Sequence, residues 1–208
     1  MLQDIDLAYD RSGALATSRT LKAPAVVAGG VPLTAPSQPQ PADHGLIAWS
    51  ADPSLAGSTS AAVSGTLYLA AVWIRSAAMI SRLWWVHTTA GSGIVAGQCW
   101  AGLYDSAGAR LASVGVDSEA AANGPRSPAV APLAVAAGRY WVALLFNATT
   151  PPILARTAGA SATANNLNLT AASLRYAVNG TGLTALPATI NPAANTSTGA
   201  LSLAVAVS

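Results

Sequence analysis

The chain has 208 residues, with ten basic and eight acidic side chains for a net charge of +2, while 52% of it is hydrophobic. Neutralising phosphates takes many Lys and Arg, so this balance argues against nucleic-acid binding. A chain that is neither strongly charged nor poor in apolar residues folds rather than staying disordered.

The N-terminal stretch MLQDIDLAYD carries three aspartates and reads poorly as an export signal. Residues 1–45 hold Pro24, Pro32, Pro36, Pro39 and Pro41, together with Gly29 and Gly30. This composition predicts an extended, semi-rigid arm rather than core. Within it Ile5, Leu7 and Tyr9 alternate with polar residues and Ala8, so a short strand can form if another surface offers an edge.

From 46 to 208 the pattern changes to short apolar segments punctuated by Gly, Pro, Asn, Ser and Asp. Strands are predicted at 65–74, 79–88, 99–105, 109–116, 138–147, 173–178 and 200–207, with weaker ones at 46–49, 130–135 and 153–156. The DSAGA stretch at 105–109 has the Asp and Gly of a tight hairpin, and GSG at 91–93 reads as a hairpin loop. Ser118 to Asn123 is Ala-rich enough for one helical turn, and nothing longer is helical. The expected fold is an all-β, jelly-roll-like antiparallel sandwich behind a Pro-rich arm. No apolar run approaches the ~20 residues of a membrane helix.

The two faces of each strand carry further information. In the last strand Leu201, Leu203, Val205 and Val207 alternate with Ser and Ala, a half-buried pattern. In 138–146, Trp141, Ala143 and Leu145 oppose Tyr140, Val142, Leu144 and Phe146, so both faces need cover. The same is expected of 79–88, where Met79, Leu83 and Trp85 oppose Ile80, Trp84 and Val86. A two-layer sandwich covers one face of each sheet, so the arm, a loop or another subunit must cover the rest. A homo-oligomer, with a trimer as the preferred state, is the expectation.

Residues with catalytic chemistry are few. His44 and His87 have no second ligand at metal-binding spacing, and no nucleotide-binding or hydrolase motif is present. After the arm the carboxylates are Asp52, Asp105, Asp117 and Glu119; of these, Asp117 and Glu119 could share a face as a glycosidase pair. Cys99, the single cysteine, lies among apolar residues and reads as a buried thiol. Sequons begin at Asn147, Asn168, Asn179 and Asn195. No catalytic residue, metal or cofactor is assigned. The tryptophans mostly read as packing, and the candidate exposed contact residues are Trp84, Trp85 and His87, at a strand where a glycan or a second subunit could dock.

GTLYLAAVWI, GQCWAGLYDSAGARLAS and AAGRYWVALLFN, behind a Pro-rich arm and with 48 alanines and one Lys against nine Arg, resemble tail-fibre, minor tail and head-fibre proteins of bacteriophages infecting high-GC bacteria. The resemblance spans about residues 45–208. It implies a virion protein without enzymatic activity: the sandwich trimerises, residues 1–45 anchor it to other virion proteins, and exposed loops can contact a host-surface glycan. The chain lacks the repetitive stalk of long fibres, which favours a short spike, a collar or a capsid decoration protein. A carbohydrate-binding or carbohydrate-active module and a secreted cytokine-like trimer are the rival readings.

Overall fold

A computed structural model describes residues 26–28, 31–33, 39–157, 162–197 and 202–208. The chain divides into two units, Met1–Gln38 and Pro39–Ser208. The boundary therefore falls before the expected position 45. Residues 39–45 join the second unit through a 3-10 turn, Pro41–His44, closed by Gly45 at φ +68° and by the Leu46 amide donating to the Pro41 carbonyl at 2.9 Å. In the first unit β1 (Val26–Ala28) pairs antiparallel with β2 (Val31–Leu33). The strand expected around Ile5, Leu7 and Tyr9 lies outside the described residues, as does Leu201.

The second unit is the antiparallel β-sandwich that the sequence predicts. Its strands are β3 (Ala48–Trp49), β4 (Ser58–Ala61), β5 (Leu67–Ile74), β6 (Ala78–Thr89), β7 (Ser92–Ile94), β8 (Trp100–Asp105), β9 (Arg110–Gly115), β10 (Gly124–Arg126), β11 (Ala129–Val135), β12 (Gly138–Leu145), β13 (Ala148–Thr150), β14 (Ile153–Arg156), β15 (Tyr176–Val178), β16 (Thr196–Ser197) and β17 (Val205–Val207). One sheet runs β16-β15-β5-β12-β8-β9. The other is built around the long β6: β10 and β11 pair along one edge, and β17 and β14 along the opposite edge, backed by β3 and β4. Two short helical turns, α1 (Asp117–Ala120) and α2 (Ala162–Asn165), complete it, and among the described residues no helix is long and apolar enough to cross a membrane.

Alternation decides what each face buries. Tyr68, Ala70 and Val72 of β5, Val142 and Leu144 of β12 and Leu103 of β8 point into the space between the sheets, where Ile80, Leu83, Trp85, Leu203, Val205 and Val207 meet them. The outer face of the six-stranded sheet is a second apolar layer: Leu67, Leu69, Ala71, Tyr104, Trp141, Ala143 and Leu145 are all buried. Its cover comes from the loops on either side of β15, through Leu174, Leu186 and Ile190. Hydrogen bonds fasten that cover, since Trp141 Nε1 donates to the Leu174 carbonyl (3.1 Å) and the Tyr104 hydroxyl to the Pro187 carbonyl (2.6 Å). Burial pushes the Tyr104 phenol up to about 12. Both faces of β12 are thus covered as its sequence requires, by a loop rather than by a second subunit.

Two expectations need correcting. Ile80 does not oppose Leu83 and Trp85; all three point inward. The amides of Ser81 and Arg82 both donate to the Ser208 carbonyl, at 2.7 and 2.8 Å, so two residues of this strand face one of its neighbour, a β-bulge that shifts the alternation by one. GSG at 91–93 is also more than a loop: Ser92–Ile94 is β7, paired with β13. Gly93 is required there, at φ +62° with Thr149 Oγ1 only 2.5 Å from where a Cβ would lie.

Candidate binding surface

The bulge determines the fate of the three residues marked by sequence. Trp85 and His87 are only 2% and 1% exposed, so they are not contact residues; the shifted alternation turns both into the core. Trp85 Nε1 donates to His87 Nε2 at 2.8 Å, and His87 Nδ1 lies 3.1 Å from the Ala122 carbonyl, which fixes a neutral imidazole with its proton on Nδ1. Burial holds the His87 pKa below its ordinary value. Trp84 is half-buried on the outer face, its Nε1 donating to the Ser208 hydroxyl at 2.8 Å.

The carboxylates serve as turn builders. Asp117 accepts from the amides of Gly97 (2.6 Å) and Cys99 (3.0 Å), tying α1 to the loop before β8. Asp105 accepts from Ala107 and Ala109 in the hairpin where Gly108 sits at φ +93°. Asp52 accepts from the Ser54 amide at 2.8 Å, a contact that lowers its pKa. Asp117 is occupied by two amides of the fold, which fits a loop-building role rather than the glycosidase pair that its spacing from Glu119 would allow. Among the described residues no group of three or more His, Cys, Asp or Glu could hold a metal ion. Cys99 is buried, and burial pushes its thiol up, away from the reactive thiolate. Of the sequon residues Asn168 is exposed, whereas Asn147 and Asn179 spend their amides on carbonyls of the fold.

Two recesses flank the segment leading into β3. The first, about 460 Å³, lies on the outer face of the seven-stranded sheet. Trp84, Val86, Ala155 and Ala206 line it together with His44 and Pro53, and no carboxylate contributes. The second, about 490 Å³, opens where β3 meets the ends of β5 and β15, and is lined by Trp49, Trp73, Arg75, Arg175 and Ser50. His44 stands edge-on to Trp49 at 5.5 Å between the two.

Ser50 organises the second recess. Its hydroxyl donates to the Leu203 carbonyl (2.7 Å) and accepts from the Val205 amide (3.0 Å), which anchors it to the C-terminal strand. Its carbonyl accepts from Arg175 Nη2 at 2.9 Å and lies 3.4 Å from the Tyr176 hydroxyl. The Arg175 guanidinium is further held over the rings of Trp73 (5.7 Å) and Tyr176 (5.6 Å). Its Nε is buried without a hydrogen-bond partner. Arg75 is exposed, and the lining contains no Asp or Glu.

The chain matches no protein-family model, no curated protein and no solved structure. Half-buried indoles beside one fixed and one exposed guanidinium can stack on a ring and grip an anion. Trp49 and Trp73 were visible in the sequence as aromatics, but Arg75 and Arg175 lie a hundred residues apart, and only the pairing of β15 with β5 brings their strands together.

Proposed function

We propose that the protein is a non-enzymatic bacteriophage virion subunit, of the short tail-fibre, spike or minor tail kind, that self-associates and contacts host-surface glycan. The observation that carries this reading is the pair of recesses edged by Trp84, Trp49 and Trp73, whose linings contain aromatic, apolar and basic side chains but no carboxylate. Such linings suit stacking and binding rather than acid–base chemistry. The likeness of GLYDSAG and AGRYW to phage fibre proteins supplies the context, and the division at Gln38 supports a separate anchoring role for the N-terminal unit.

The cover over Trp141 comes from within the chain, so self-association rests on other surfaces, chiefly the open face around Trp84. Full-length protein should sediment as a trimer and label purified particles when probed with antibody; a monomer at micromolar concentration removes self-association, and particles free of the chain remove the virion role. A glycan array separates the branches within this reading. Binding there supports a fibre or spike, whereas a blank array with binding to isolated capsids supports decoration.

A further inference from the structure

We propose that the recess between β3, β5 and β15 binds a saccharide bearing a carboxylate, with the acid group on Arg75 and Arg175 and the sugar ring against Trp49 and Trp73. The inference deepens the glycan-contact reading and rests on it.

Charge is scarce in this chain, with ten cations among 208 residues, yet two of them line one recess that contains no acidic side chain. Arg175 is not a solvated surface arginine. The Ser50 carbonyl and the Trp73 and Tyr176 rings fix its plane, and its buried Nε leaves it incompletely satisfied by the chain's own acceptors. A guanidinium immobilised before binding loses little freedom when it grips an anion, and its fork matches the two oxygens of a carboxylate. Arg75 adds a second, exposed cation whose side chain can adjust to the ligand. The two indoles select for a ring: an acidic peptide would satisfy the arginines but leave the tryptophans without a stacking partner. A recess of about 490 Å³ falls within the size range of small-ligand sites.

Tryptophan fluorescence and calorimetry on the full chain, with oligogalacturonate as probe, test this. Oligogalacturonate should bind, and its methyl-esterified form should bind roughly tenfold more weakly or worse, because esterification removes the charged acceptor. Arg75→Gln should lose affinity by roughly tenfold with unchanged melting, whereas Arg82→Gln, an exposed arginine outside this recess, should not. Trp49→Leu, which leaves the Trp73 and Tyr176 contacts of Arg175 in place, should weaken the sugar while leaving any binding of poly-glutamate unaffected. Equal affinity for acid and ester, equal affinity for poly-glutamate, or no binding of oligogalacturonate overturns the proposal. Binding confined to neutral glycans and insensitive to Arg75→Gln also overturns it while leaving host-glycan contact standing. Acid binding by a chain missing from purified particles keeps the site and removes the virion role.

Discussion

The two sheets of the sandwich treat their outer faces differently. On the six-stranded sheet Trp141 and its row of Leu and Ala are sealed by the loops on either side of β15, and the polar atoms at the seam are matched to carbonyls of those loops. On the seven-stranded sheet the outer face is composed mainly of small or half-buried residues, Ala155, Ala206, Val86 and Trp84, and remains open as a groove. The first face is core by another name. The second is where the molecule can meet something else, and its shallow apolar floor needs no cover for the fold to persist. Among the described residues the binding chemistry gathers around β3, in the open groove and in the recess where Trp73 and Arg175 at the rim of the sealed face meet it, while Trp141 and its neighbours serve stability.

The strongest way to break that comparison is Trp141→Ala. A fully buried indole with a satisfied N–H should cost about 3–5 kcal/mol, read as a fall in the denaturant midpoint. Gly102→Val tests the same seal from the opposite direction. A Cβ at Gly102 would sit 2.6 Å from Leu186 Cδ1 and 2.9 Å from the Ala112 carbonyl oxygen, so the cover must lift; about 1–3 kcal/mol is expected. If Gly102→Val melts like the parent, Leu186 does not press on the sheet and the seal is looser than described.

Much of this architecture is legible in the sequence, and the failures are instructive. Among the described residues the predicted runs of β-branched and aromatic residues became strands, and the two-sided apolar pattern of 138–146 correctly demanded cover on both faces. Strands such as Ser58–Ala61 were invisible because their side chains are polar and small, and their pairing is set by the Ile153–Arg156 backbone. The cover over Trp141 was equally hidden: it works through main-chain carbonyls of Leu174 and Pro187, which any sequence supplies. The bulge at Ser81 depends on a contact with the chain's last residue, so the facing of Trp84 and Trp85 could not be read locally. The Arg75 and Arg175 recess shares this limit, being assembled from strands far apart in the chain.

His87 sharpens the contrast between buried and open polar groups. Burial lowers its folded pKa, so the native state resists protonation while the unfolded chain takes up a proton near its ordinary 6.5. The unfolded state therefore binds more protons below that point, and stability present at neutral pH is lost as pH falls through 6.5 toward the folded value. The slope from this one group is at most ~1.4 kcal/mol per pH unit. His87→Gln should remove that part of the acid dependence, whereas His44→Gln, at an exposed residue, should retain it. An unchanged profile in His87→Gln shows that other groups set the acid limit.

The smallest effect is expected from Trp84→Ala, which makes it the finest discriminator. Trp84 is only half-buried, and its Nε1 partner is the hydroxyl of Ser208, so truncation empties part of a groove already open to water instead of creating a sealed cavity. A loss of about 1 kcal/mol or less in dilute protein fits a face that the isolated subunit leaves uncovered. Repeating the melt at increasing concentration turns this into a test of what covers the face. If the penalty grows as the parent protein is stabilised by mass action, Trp84 is buried against a second copy. A penalty that stays small at every concentration leaves the groove free for a ligand, and one as large as that of Trp141→Ala in dilute protein erases the distinction between the two outer faces.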